Sequence, residues 1–151
     1  YSGAVKNADG SLTGWREFSP EEVVRRHVMH VKQDVKLLNG EIVPTSVDRT
    51  LPRLMEKYGL RPEQIDWFLP HYSSDYFRRP IHNHLQEIGF PLPFERWFSN
   101  LATRGNTGSA SIYLMLEELF HSGRLQRGER LLLFVPESGR FTISYALLTV
   151  V

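Results

Sequence analysis

Ile65-Asp66-Trp67-Phe68-Leu69-Pro70-His71 is the stretch of this sequence that decides the fold. Its apolar residues form a short run between Pro62 and Pro70, which predicts a buried β-strand over 65–69. His71 follows that strand at once and would lie at an edge of the sheet. A histidine in this position is a candidate functional residue, although taken alone it is more often a structural residue bonded to the backbone.

The second informative stretch is Gly105-Asn106-Thr107-Gly108-Ser109-Ala110-Ser111, which opens a predicted helix over 107–121. Apolar residues occupy nearly every side of that helix, so we expect it to be enclosed within the protein. Asn106 precedes its first turn, where asparagine is a common cap and where the helix dipole favours negative charge. Asn106 is therefore a candidate functional residue, with an ordinary capping role as the alternative.

The rest of the chain alternates helical and strand patterns, which predicts the α/β class. The predicted elements are a strand over 1–6 with a turn at 7–10, an amphipathic helix over 20–38 that Asn39-Gly40 ends, a helix over 47–58 that Pro52 bends, a helix from Ser73 or Ser74 to Gly89, a strand over 94–98, and two antiparallel strands over 131–135 and 142–151.

Composition excludes several classes of function. With 18 Lys and Arg against 17 Asp and Glu, the 151-residue chain has no basic field for nucleic acid. It contains no cysteine, which excludes a disulfide framework and a cysteine zinc site. The longest apolar stretch, 112–119, carries two glutamates and is too short to span a membrane. The chain starts at Tyr1, and we expect it to be part of a longer, cytoplasmic enzyme.

The remaining histidines do not predict a metal site. His27 and His30 would share a helix face, but no acidic or cysteine partner stands at ligand spacing. His82-Asn83-His84 resembles a nuclease signature only in its letters, because side chains two apart on a helix point away from each other.

Residues 38–151 resemble the C-terminal half of the ketoacyl-ACP synthase III group of the thiolase superfamily. Four segments carry the resemblance in the family's order: Leu38-Asn39-Gly40-Glu41-Ile42-Val43, the stretch from Ile65 to His71, the stretch from Gly105 to Ser111, and Gly123-Arg124-Leu125-Gln126-Arg127-Gly128-Glu129-Arg130-Leu131-Leu132-Leu133. Residues 1–37 would form a strand, a turn and an amphipathic helix that lead into this domain.

The resemblance implies a thiolase-like half-fold, with a mixed five-stranded sheet, an enclosed helix and covering helices. It also implies a decarboxylative Claisen condensation of fatty acid biosynthesis without a cofactor, in which a cysteine of a missing N-terminal half takes the acyl group. His71 and Asn106 would stabilise the thioester enolate. The implied partners are that N-terminal half, acyl-carrier protein or CoA thioesters, and a second copy in a homodimer. The present chain alone should be inactive.

Three departures from the family pattern indicate a divergent member. Tyr72-Ser73-Ser74 replaces Gln-Ala-Asn after the histidine, Tyr76 replaces an arginine assigned to carrier-protein contact, and Ser144 replaces a glycine. The predicted substrate-binding residues are Arg78, Arg79, Ser138, Gly139 and Arg140.

Two other functions remain open at this point. The chain could belong to a non-catalytic subunit of this fold that supports an active partner. It could also belong to an acyltransferase that forms an ester or amide, with His71 as general base toward a hydroxyl or amine.

Overall fold

A computed structural model describes residues 2–151. These residues form two compact units, the first ending at Leu38 and the second beginning at Asn39. The strands are β1 (Ala4–Lys6), β2 (Leu12–Gly14), β3 (Trp67–Pro70), β4 (Arg130–Glu137) and β5 (Thr142–Thr149). The α-helices are α1 (Pro20–Arg25), α2 (Val35–Val43), α3 (Leu51–Tyr58), α4 (Arg78–Glu87), α5 (Leu101–Arg104) and α6 (Ser111–His121). A π-helix spans Pro44–Thr50, and 3-10 turns span Trp15–Glu17, Pro62–Gln64, Asp75–Phe77, Phe94–Arg96 and Gly108–Ala110. The predicted α/β class is confirmed.

The first unit contains an antiparallel hairpin of β1 and β2. The predicted turn at 7–10 is present, and the Gly10 N–H donates to the Asn7 carbonyl at 3.0 Å. The strand predicted over 1–6 is found at Ala4–Lys6, while Tyr1 lies outside the described residues.

The helix predicted over 20–38 is wrong, because α1 ends at Arg25. Its predicted start is confirmed: Ser19 and Glu22 form a reciprocal capping box. The early end follows from incomplete burial of the valine stripe: Val28 is buried, but Val24 is 74% exposed and Val31 87% exposed. With most of that stripe exposed, helix propensity alone does not sustain the helix.

A left-handed residue closes α1. His27 has φ 49°, and the next N–H, that of Val28, donates back to the Val23 carbonyl at 3.0 Å. This is the hydrogen bond of a Schellman motif. His27 and His30 therefore do not share a helix face as predicted, although their ring centroids lie 4.7 Å apart.

The helix break predicted at Asn39-Gly40 is also wrong. Both residues lie inside α2, which continues through the π-helix into α3. Leu38 and Ile42, one helical turn apart in α2, are both buried, and this burial outweighs the poor helix propensity of Asn-Gly. Gly59 ends α3 as predicted, at φ 61°.

The second unit is built on a three-stranded mixed sheet in the order β3-β4-β5. β3 runs parallel to β4, with Pro70 opposite Phe134, and β4 runs antiparallel to β5. The predicted antiparallel pair is confirmed, whereas the prediction of a single five-stranded sheet is wrong for the described residues, in which the mixed sheet has three strands.

The strand predicted over 94–98 accounts for part of this difference. Residues Phe94–Arg96 form a 3-10 turn, and only Trp97 makes a bridge, to Phe68. Pro91 and Pro93 lack the N–H that a ladder needs. The Arg96 guanidinium also donates to a loop carbonyl, that of Ile65, at 2.8 Å, which holds the turn in place.

The two faces of this sheet bury different side chains. Leu69, Leu131 and Leu133 lie against α6, where Ile112, Met115 and Leu119 complete the cluster. On the opposite face the rings of Phe68 and Phe134 stack at 5.9 Å, and those of Phe134 and Tyr145 at 5.0 Å. This packing fixes the carboxyl ends of β3 and β4, from which the candidate site projects.

Within the described residues, α6, which the sequence predicts to be enclosed in the complete fold, is covered on one side. Tyr113 is 72% exposed and Phe120 64% exposed, because the described chain covers only one side of α6. An apolar groove of about 410 Å³ lies between α6 and β5, with Leu125 and Leu148 in its wall. None of the helices in residues 2–151 is long and apolar enough to cross a membrane.

Candidate active site

His71 lies at the carboxyl end of β3. Its backbone N–H donates to the Phe134 carbonyl of β4 at 2.8 Å, so the residue continues the sheet ladder. Burial lowers the pKa of the half-buried imidazole, because the charged form loses solvation. At neutral pH the ring is uncharged, with one nitrogen a donor and the other an acceptor.

A small cleft of about 10 Å³ contains His71. Asn100, Gly105, Ser111 and Met115 also line it. Its volume corresponds to about one water molecule or one oxygen atom. The structure therefore brings His71 to the start of the loop that carries Asn106, directly after Gly105.

Two side-chain hydrogen bonds hold the Asn106 loop. The Gly108 N–H donates to Asn106 Oδ1 at 2.9 Å, and the Thr107 N–H donates to Ser111 Oγ at 3.1 Å. A further bond of 2.9 Å joins the Thr107 and Ser111 hydroxyls. The first bond uses the acceptor end of the Asn106 amide, which leaves Nδ2 as the end that can donate to a ligand.

An ion pair fixes the segment before this loop to α6. Glu118 Oε2 accepts from Asn100 Nδ2 at 3.0 Å and from Arg104 Nε at 3.2 Å. These bonds, that from Asn100 first, lower the pKa of the Glu118 carboxyl. The charged carboxylate thus secures α5, and with it the position of Gly105.

A second, larger cleft of about 230 Å³ adjoins the first. Tyr72, Ser99 and Leu101 line both clefts, and Arg78 lines only the larger one. The Arg78 guanidinium lies 4.6 Å from the centroid of the Phe94 ring, which holds it over that ring. Arg79 is exposed and lines neither cleft.

The loop of Ser138, Gly139 and Arg140 lies farther along the sheet. Both Gly139 and Arg140 donate their backbone N–H groups to the Glu137 carboxylate. Ser138 is four residues beyond Phe134, which is about 13 Å along a strand. Gly139, Arg140 and Ser144 border a separate groove, so the structure does not bring this loop into the His71 cleft.

Sequence reasoning missed three residues of the His71 cleft. Asn100 and Ser111 are buried polar residues held by hydrogen bonds, and buried Tyr72 lies next to His71. Tyr72 carried a signal as a departure from the family pattern, and Ser111 as the last residue of the 105–111 stretch, whereas Asn100 carried none. Within residues 2–151, no group of three or more His, Cys, Asp or Glu side chains is placed to hold a metal ion.

Comparison with known proteins shows that most of the second unit matches one family. Residues 55–147 match the family described as 3-Oxoacyl-[acyl-carrier-protein (ACP)] synthase III C terminal. The chain belongs to this family. The matched residues include β3, His71, Asn106, α6 and most of the β4–β5 hairpin.

Individual members of the synthase III family are similar over much of the chain. The β-ketoacyl-[acyl-carrier-protein] synthase III of Prochlorococcus marinus is 32% identical over 95 residues, 60% of this chain and 27% of the relative. The chloroplastic enzyme of Arabidopsis thaliana is 33% identical over 122 residues, 81% of this chain and 28% of the relative. The chain thus spans less than a third of the length of these relatives.

Solved structures of synthase III enzymes share the fold. That from Thermus thermophilus is 29% identical with a TM-score of 0.63, covering 99% of this chain and 40% of the other. That from Pseudomonas aeruginosa has a TM-score of 0.66 at 23% identity, covering 98% and 39%. These likenesses confirm the thiolase-like fold predicted from the sequence.

Proposed function

We propose that this chain is the C-terminal domain of an acyl-thioester condensing enzyme of the 3-oxoacyl-ACP synthase III type, with residues 38–151 as the domain and 1–37 leading into it. The observation that carries the proposal is the oxygen-sized cleft of His71, which also contains Gly105 and Ser111, the residues on either side of the Asn106 loop. Family membership supports the same reaction.

The proposed reaction begins with loss of CO2 from a malonyl thioester. The bond between the α-carbon and the carboxylate breaks, and its electron pair forms an enolate whose charge lies on the thioester oxygen. His71 and Asn106 Nδ2 donate hydrogen bonds to that oxygen. The enolate carbon then attacks an acyl group held on a cysteine, and the cysteine thiolate leaves.

The two donors suit this charge. A neutral imidazole donates an N–H without itself needing to release a proton, and burial of His71 favours the neutral form. Asn106 stands before α6, where the helix dipole favours a nearby negative charge. Donors held in advance toward a developing oxyanion each contribute about 3 kcal/mol to lowering the barrier.

The cysteine must come from outside this chain, which has none. We propose that an N-terminal half of the longer protein supplies it and covers the exposed apolar face of α6 and β5. Tyr113, Phe120 and Leu148 give that face its apolar character. We further propose acyl-CoA or acyl-carrier-protein thioesters as substrates, a homodimer as the full-length state, and no cofactor.

Arginines near the clefts are proposed to bind the substrate's phosphate groups. Arg78 lines the larger cleft, which adjoins the cleft of His71, and Arg79 lies next to it at the surface. The loop of Ser138, Gly139 and Arg140 is proposed to meet the substrate only where the N-terminal half completes the site.

Release of CO2 tests the proposal in the longer protein that contains this chain. With malonyl-CoA labelled in its carboxylate, His71→Ala and Asn106→Ala should each lower CO2 release by about 100-fold or more. Uptake of label from acetyl-CoA by the cysteine should persist, because the two donors act on the second thioester. The matched controls are His30→Ala and Asn83→Ala, at exposed positions.

The same experiment separates the other candidate functions. A non-catalytic subunit would release no CO2 and take up no acyl label. An ester- or amide-forming acyltransferase would take up acyl label, release no CO2 and require His71 for transfer to an alcohol or amine. Wild-type rates of CO2 release in both donor variants would contradict the proposed roles of His71 and Asn106.

A further inference from the structure

Tyr72 stands between the two clefts of the candidate site. Its side chain is 6% exposed and lines both the cleft of His71 and the cleft of Arg78. The two spaces differ greatly in size, about 10 Å³ against about 230 Å³. The phenol ring is therefore part of the wall that separates a space for one oxygen atom from a space for a larger group.

The Tyr72 ring is buried and interacts with Ser99, a residue shared by the two clefts. Burial raises the pKa of the Tyr72 phenol, and a hydrogen bond with the Ser99 side chain acts in the opposite direction. The phenol is thus neutral and bonded to a hydroxyl that itself lines both clefts. Close packing around a buried aromatic ring limits its movement.

We propose that Tyr72, with Ser99, is a specificity-determining partition that admits the thioester oxygen to His71 and keeps the acyl chain and the thioester arm on the Arg78 side. This inference rests on the proposed function of His71. Its basis is steric: a cleft that holds one water has no room for an acyl chain. Substrates that bring a bulky group next to the thioester carbonyl are consequently excluded by the Tyr72 ring.

The proposed partition is tested by measuring how readily a small reagent reaches the His71 imidazole, which requires no enzymatic turnover. The full chain is treated near neutral pH with diethyl pyrocarbonate, which modifies neutral imidazole, and the rate at each histidine is read by peptide mass spectrometry. Burial keeps His71 neutral under these conditions, so differences in rate report access. Exposed His30 serves as the reference within each sample.

Tyr72→Ala should raise the rate at which diethyl pyrocarbonate modifies His71 by about tenfold or more. This is the scale expected when local opening of the structure controls access to the side chain. Tyr72→Phe, which keeps the ring, should stay within about twofold of the wild type. The control is Tyr76→Ala, a tyrosine of the same segment that is 63% exposed and lines neither cleft. If Tyr72→Ala loses its native circular dichroism, Tyr72→Leu takes its place.

A His71 rate unchanged in a folded Tyr72→Ala or Tyr72→Leu variant would overturn the partition. Because labelling needs neither cysteine nor substrate, that result leaves the CO2 test unaffected. In the longer protein, Tyr72→Leu should raise the use of a methyl-branched malonyl thioester relative to malonyl thioester. An unchanged ratio would contradict the specificity role.

Discussion

Replacing Ser111 by alanine should loosen the loop that carries Asn106. The Ser111 hydroxyl accepts the Thr107 N–H at 3.1 Å and bonds the Thr107 hydroxyl at 2.9 Å. A net value of about 1 kcal/mol for each bond gives a loss of about 2 kcal/mol in the free energy of unfolding. For a chain of this size, that loss lowers Tm by about 4–8 °C.

Thermal unfolding followed by circular dichroism measures the change in Tm, and amide hydrogen exchange measures the loop directly. A loss of about 2 kcal/mol in local stability speeds exchange of the Thr107 amide by about 30-fold. Ser109→Ala is the matched control, since Ser109 is an exposed serine two residues away. Equal Tm values and equal Thr107 exchange in the two variants would refute the assignment of Ser111 as the residue that positions this loop.

Three further changes test the packing and electrostatics. Leu119→Ala removes a fully buried side chain and should cost about 2–5 kcal/mol in denaturant unfolding, against a much smaller loss for Leu114→Ala, which is 38% exposed. Tyr145→Phe removes the hydroxyl that donates to the Ser46 carbonyl at 2.9 Å and should cost about 1 kcal/mol; no loss would show that this bond contributes nothing. Burial lowers the pKa of His71, so the folded state binds a proton at this imidazole less well than the unfolded state does. The free energy of unfolding, measured by chemical denaturation, should therefore fall as the pH drops below about 6.5. His71→Gln should make this pH dependence weaker.

The sequence predicted those elements whose signals are local. The start of α1 after Ser19, the end of α3 at Gly59 and the apolar strand before His71 each depend on residues close together in the chain. Local chemistry decides such features, so short-range patterns are sufficient to find them.

The errors arose where tertiary contact outweighed local pattern. The valine stripe that begins in α1 matched a long helix, but Val24 and Val31 are exposed and Val28 is its buried valine. Asn39-Gly40 resembled a helix end, yet buried Leu38 and Ile42 carry α2 through it. Periodicity predicts which residues can share a face and does not reveal whether that face is covered.

The sequence singled out two motif residues for the candidate site. His71 and Asn106 remain predictions for their catalytic roles, although the structure places His71 beside the start of the Asn106 loop. Asn100 escaped prediction because its partner, Glu118, lies 18 residues away. Contacts of this kind depend on how α5 meets α6, which no short pattern encodes.

A double-mutant cycle on CO2 release from malonyl-CoA, in the longer protein, tests the central claim most directly. If His71 and Asn106 donate to the same thioester oxygen, they act as a unit and their losses are not additive. Each single change to alanine should lower the rate of CO2 release by about 100-fold or more. The account predicts that the double variant releases CO2 at most about tenfold more slowly than the slower of the two single variants. Losses that multiply in full, to about 10⁴-fold or more, would show two independent roles and contradict a shared oxyanion site.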